Sequence, residues 1–66
     1  MNVTLNGEQL HLTPPLSVAA LLEARGLAGK RVAVERNGEI VAKSRHAETL
    51  LAAGDQIEIV VAVGGG

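Results

Sequence analysis

Ser17-Val18-Ala19-Ala20-Leu21-Leu22-Glu23-Ala24-Arg25-Gly26 is the stretch that reads as helix, and the fold follows from its being alone. Ser17 suits the N-cap, where its hydroxyl can accept from a free backbone N–H of the first turn. Leu16 lies where it can pack on Leu21, a hydrophobic staple across the helix start. Val18, Leu21, Leu22 and Arg25 recur at helical spacing, giving one narrow apolar stripe that ends in a cation favourable to the helix dipole. Gly26 fits the left-handed position beyond the last turn, with Leu27 able to fold back on Leu21 or Leu22. Start and stop signals agree on a helix over residues 17–25.

Toward the amino end, Val3 and Leu5 alternate with polar neighbours, as do Leu10 and Leu12, and Asn6-Gly7 sits between the two runs. Both residues tolerate the positive φ of a type I′ turn, so the first 12 residues read as a β-hairpin. Pro14-Pro15 stops its second strand, since neither residue can donate a ladder hydrogen bond. Beyond the helix, residues 31–36 read as a strand with Val32 and Val34 on one face. Asn37-Gly38 is a second turn, and residues 39–42 a short strand. Residues 43–53 have no clean period; Leu50 and Leu51 are expected to plug the core from a loop or a helical turn. Gly54-Asp55 is a turn, and residues 56–61 are the clearest strand. Ile57, Ile59 and Val61 would point inward, with Gln56, Glu58 and Val60 outward.

The order is therefore β-β-α-β-β-β. A lone helix must cover one face of a mixed sheet, which makes the fold an α+β roll of four or five strands. That is the β-grasp arrangement, in which the first and last strands lie side by side and parallel. The domain is expected over residues 1–61, with residues 62–66 as a flexible tail.

Composition narrows the function. A single domain of 66 residues buries only ~60% of the surface its unfolded chain exposes. The chain has no Cys, which removes disulfides, iron–sulfur ligation and any catalytic thiol. It has no Phe, Trp or Tyr, so no aromatic platform can stack nucleic-acid bases. Six basic against 7 acidic side chains argue against a nucleic-acid or membrane-surface partner. The amino end lacks the basic start and apolar run of a secretory signal, so a cytoplasmic location is expected. Glu35 and Glu39 flank the second turn, and Asp55 and Glu58 the last strand; all four read as solvated charges. His11 and His46 are an incomplete ligand set, so no metal site is expected. Lys30, Arg31 and Arg36 read as a modest, solvent-exposed basic cluster. No catalytic side chain is expected.

The informative segment is Val63-Gly64-Gly65-Gly66. Glycines lose the most backbone entropy on ordering, so three in a row cannot continue a strand stably. They are expected to form a flexible tail reaching roughly 10 Å, at ~3.3–3.6 Å per residue. Lacking side chains, Gly64 and Gly65 could thread a narrow channel and present the Gly66 α-carboxylate to a partner's active site. The partner would have to offset ~1–2 kcal/mol of ordering per residue. The competing reading is an unstructured end with no function.

Asn37-Gly38-Glu39-Ile40-Val41, Gly54-Asp55-Gln56-Ile57-Glu58-Ile59-Val60 and Ala62-Val63-Gly64-Gly65-Gly66 together resemble the ThiS family of sulfur carriers, and the likeness runs the length of the chain. Ala42-Lys43 stands where many relatives have Pro-Arg, and His46 where an aromatic residue is frequent. The resemblance implies a ubiquitin-like β-grasp domain that is not itself an enzyme. A ThiF-like adenylyltransferase would use ATP and Mg²⁺ to adenylate the Gly66 carboxylate, and the chain would bind no cofactor of its own. Sulfur from a persulfide-bearing protein would then give a thiocarboxylate, and a ThiG-like thiazole synthase would take that sulfur for the thiazole of thiamin. Val60 and Val63 would contribute an apolar docking surface for the adenylating enzyme. A carrier for molybdopterin or another sulfur-containing product, a ubiquitin-like protein modifier, and a binding module with an incidental tail remain as alternatives. The short length and missing aromatics favour the thiazole route.

Overall fold

The computed structural model describes residues 1–62. Strands β1 (Asn2–Leu5) and β2 (Glu8–His11) form the first hairpin, followed by helix α1 (Val18–Ala24). Strands β3 (Val32–Arg36) and β4 (Glu39–Val41) form the second hairpin. A single 3₁₀ turn (Lys43–Arg45) leads into a loop, and β5 (Gln56–Val61) completes the sheet. The order is β2-β1-β5-β3-β4, so β5 runs down the middle. It is parallel to β1 through Thr4↔Gln56 and Leu5↔Ile57, and antiparallel to β3 from Val32↔Val61 to Arg36↔Ile57. This mixed five-stranded sheet under one helix is the expected β-grasp roll.

Both hairpins turn on Asn-Gly with positive φ throughout: 50° and 82° at Asn6 and Gly7, 52° and 84° at Asn37 and Gly38. These are the dihedral signs of a type I′ turn, whose twist matches that of the flanking strands. The helix begins as its sequence indicates, with Ser17 Oγ accepting from the Ala20 N–H at 3.0 Å. It ends in a Schellman motif: the Gly26 N–H donates to Glu23 O at 3.0 Å and the Leu27 N–H to Leu22 O at 2.8 Å. Gly26 takes φ 72°, which a side chain would resist.

Val18, Leu21 and Leu22 pack against Leu5, Val34, Ile57 and Ile59 to form the core, which Leu51 closes from the loop. Two expected core positions differ. Val61 is 42% exposed although it shares a face with Ile57 and Ile59. The seven-residue helix is about 10 Å long and the six-residue strand about 20 Å, so the helix cannot roof the whole of β5. Leu50 is 56% exposed, and only its neighbour Leu51 is buried. The segment is extended there, Leu50 bridging Ser17 and the Leu51 N–H bonding Leu16 O at 2.8 Å, so adjacent side chains point opposite ways. Among the described residues no helix is long and apolar enough to cross a membrane.

Candidate functional site

The site is built around the end of β5, because that strand delivers the chain to Val63 and the glycines. Residues 63–66, and with them the candidate residues Val63, Gly64, Gly65 and Gly66, lie outside the described residues. The platform they leave from is well defined. β5 is hydrogen-bonded on both sides, and the Ala62 N–H donates to Arg31 O at 2.9 Å, holding the chain through its last described residue.

A side chain extends the ladder on the β1 side. β1 turns away at Asn6, yet the Asn6 carboxamide bonds Ile59 twice: its Oδ1 accepts from the Ile59 N–H at 2.8 Å and its Nδ2 donates to Ile59 O at 3.2 Å. The Asn6 backbone N–H also donates to Ile57 O at 2.9 Å. Ile59 therefore keeps its ladder partners where β1 has none left to give.

Val60 lies on the opposite face of the sheet from Ile59 and is 63% exposed. It sits in register with Ala33 of β3, and Ile40, 69% exposed, lies on the same face one strand further out, across from Glu35. Glu35 and Glu58 face each other directly across β3 and β5. Like charges in that position cost stability, so the exposed face combines an apolar corner with a carboxylate pair that no folding argument favours.

Asp55 is not a solvated charge. It is 5% exposed and sits at the start of β5, where its Oδ2 accepts from Arg36 Nε at 2.8 Å and from the Ala52 N–H at 2.8 Å. Its Oδ1 accepts from Asn37 Nδ2 at 3.0 Å. Burial pushes its carboxyl pKa up, but the hydrogen bonds from Ala52, Asn37 and Arg36, with the Arg36 charge, outweigh this and hold it below the ordinary value. Arg36 accordingly leaves the expected basic cluster and serves as the partner of Asp55.

The histidines stand apart. His11 is exposed and pairs through Nδ1 with Asn2 Oδ1 at 2.8 Å. His46 is buried, its Nε2 donating to the Val41 carbonyl at 3.1 Å, a structural bond. Among the described residues no three His, Cys, Asp or Glu side chains assemble as a metal ligand set.

One feature escaped sequence reading. A groove of about 580 Å³ opens between the end of α1, the loop of residues 27–31 and the far ends of β3 and β5. Leu22, Leu27 and Val32 give it apolar walls, Lys30, Arg31 and Lys43 a cationic rim, and Ala62, the last described residue, lies at its edge. No periodicity signals it, because its lining comes from four separate segments of the chain.

Comparison with known proteins places this geometry. The chain matches the ThiS family over residues 3–66. A thiazole synthase from Paramagnetospirillum magneticum is 44% identical over 66 residues, all of this chain and 20% of that protein. The sulfur carrier protein ThiS of Bacillus subtilis is 48% identical over 50 residues, 76% of each chain. The crystal structure of a thiamine biosynthesis protein, ThiS, from Geobacter metallireducens is similar with a TM-score of 0.84 at 35% identity, covering the whole of both chains. The chain spans 20% of the length of each of the two thiazole synthases it matches.

Proposed function

The chain belongs to the ThiS family, and from that premise we propose that it carries sulfur for thiazole formation in thiamin biosynthesis, with the Gly66 carboxylate as the bearing group. The observation that carries the reading is a family match that continues through the glycines to residue 66, on a fold similar over its whole length to a ThiS structure.

Chemistry dictates the steps. An α-carboxylate has a pKa of about 3.3–3.7, so at neutral pH it is an anion and a poor electrophile. A ThiF-like adenylyltransferase activates it: a carboxylate oxygen attacks the α-phosphorus of Mg²⁺-bound ATP, and pyrophosphate leaves. The terminal sulfur of a partner persulfide then attacks the carbonyl carbon, and AMP leaves. A thiol cleaves the resulting S–S bond and releases the thiocarboxylate, which a ThiG-like thiazole synthase consumes. ATP dependence fits a cytoplasmic location.

In this scheme the domain presents and the partners catalyse. Gly64 and Gly65 have no Cβ to obstruct a narrow channel, and Val60 and Val63 are the apolar side chains offered to the activating enzyme. No Cys is present to intercept the sulfur.

The test is intact mass after co-expression with a ThiF-type adenylyltransferase and a persulfide donor. Replacement of one carboxylate oxygen by sulfur is the expected result. Lysine-linked adducts would instead make the chain a protein modifier, and an unchanged mass would remove the carrier reading. Deleting Gly66, or appending residues beyond it, should abolish activation while leaving thermal stability unchanged.

A further inference from the structure

We propose that the groove between the end of α1, the loop of residues 27–31 and the end of β5 is the docking site for an acidic, apolar-tipped segment of the enzyme that activates Gly66. The inference rests on the carrier reading and adds the surface and the chemistry by which the activating partner is recognised.

Position commits the groove to that partner. Ala62 lines it, and Arg31, whose carbonyl holds the Ala62 N–H, stands on its rim. Residues 63–66 span at most roughly 14 Å when fully extended. Any enzyme that takes Gly66 into its active site must therefore bring its own surface against the end of β5, where this groove opens.

Charge specifies what the surface carries. Lys30, Arg31 and Lys43 stand on the rim against one carboxylate, Glu23. They are half of the 6 basic residues of a chain whose net charge is −1. Among the described residues the only ion pair is Arg36–Asp55, so none of the three rim cations is paired with a described carboxylate. The walls of Leu22, Leu27 and Val32 suit an aliphatic or aromatic side chain, and a volume of about 580 Å³ holds one or two of them. An apolar anchor between carboxylates is the complement to that surface, with the charges steering encounter and fixing register.

The experiment uses the whole chain and the ThiF-type adenylyltransferase of the same genome. Lys30→Glu and Lys43→Glu should each raise the Kd about tenfold, and Ala47→Trp, which fills the groove from an exposed position, should do at least as much. Arg45→Glu makes the same charge change outside the groove and should move the Kd less than about twofold. With pyrophosphate release as the assay, the KM for the carrier should rise in the groove variants while kcat holds. Groove variants that bind and react like Arg45→Glu would overturn the docking site even if sulfur loads normally. Groove-dependent binding without any sulfur transfer would keep the docking site and remove the carrier reading. No binding of the unmodified chain would overturn both.

Discussion

The carboxamide of Asn6 holds both backbone polar groups of Ile59, 53 positions away, with its Oδ1 2.8 Å from the amide nitrogen and its Nδ2 3.2 Å from the carbonyl oxygen. Asn37, at the other Asn-Gly turn, does related work: its Oδ1 accepts from the Gln56 N–H at 2.9 Å and its Nδ2 donates to Asp55. Both turns thus need a residue that tolerates positive φ and carries a donor and an acceptor on one short side chain. Glycine meets the first requirement and aspartate lacks the donor; asparagine meets all of them. The two turns stitch the central strand at its start and at its middle.

Replacing Asn6 by Asp keeps the acceptor and the tolerance of positive φ but removes the donor and sets a carboxylate beside the Ile59 carbonyl. Asn6→Asp should lower stability by about 1–2 kcal/mol at pH 7, read as a reduced urea midpoint. A midpoint unchanged from the parent chain would show that the side-chain ladder contributes nothing.

Asp55 makes stability pH-dependent in a defined direction. Its folded pKa lies below its unfolded value, so its contribution is complete above the ordinary carboxylate value of about 3.9 and is lost as pH falls through the folded pKa. Asp55→Asn removes the charge and turns an amide donor toward other donors, which should cost about 1.5–3 kcal/mol at pH 7. Urea titrations from neutral pH down to acid should show the gap between parent and variant closing below the unfolded pKa. A gap constant over that range would mean that the carboxylate charge plays no part.

Leu50 and Leu51 separate sharply despite being neighbours. Leu51→Ala leaves a cavity beneath α1 and should cost about 2–5 kcal/mol, enough to unfold much of so small a domain. Leu50→Ala, at an exposed position, should change stability by no more than about 0.5 kcal/mol. Denaturant midpoints of the two variants side by side test the assignment, and equal losses would contradict it.

Those two leucines also mark where the sequence stops speaking. The hairpins, the helix with its cap and glycine stop, and the bounds of β5 were legible because each rests on a local period or on a residue with unusual dihedral preferences. Residues 43–53 carry neither signal, so which leucine enters the core is decided by the bridge to Ser17 and the bond to Leu16. Asp55 departs from its sequence reading for a related reason: its two side-chain donors are Arg36 and Asn37, 19 and 18 positions away, and no spacing rule reaches that far. Val61 was assigned by alternation, which gives the face of a strand but not how far the helix above it extends. The groove is the extreme case, since chain segments meet there only in three dimensions.

Gly26 tests the helix stop in isolation. A Cβ built there meets nothing within 4 Å, so Gly26→Ala introduces no clash and its cost is that of φ 72° alone. The expected loss is about 1–2 kcal/mol, seen as a lower thermal midpoint with an unchanged circular dichroism spectrum. A neutral effect would mean that the backbone relaxes out of the left-handed region without penalty.

Val60 is the described residue on which recognition and folding can be told apart. It is 63% exposed and cross-strand from Ala33, so Val60→Glu removes little buried area and should shift stability by no more than about 0.5 kcal/mol. For a docking partner the change is large. It places a third carboxylate beside Glu35 and Glu58 and turns an apolar contact into a charge that must be desolvated on binding. Binding to a ThiF-type adenylyltransferase should weaken at least about tenfold while the urea midpoint holds, because truncating or charging a central interface contact costs far more than a rim change. If the variant binds as the parent does, partners approach the end of β5 without using this face; if it unfolds, Val60 supports the sheet in a way its exposure conceals.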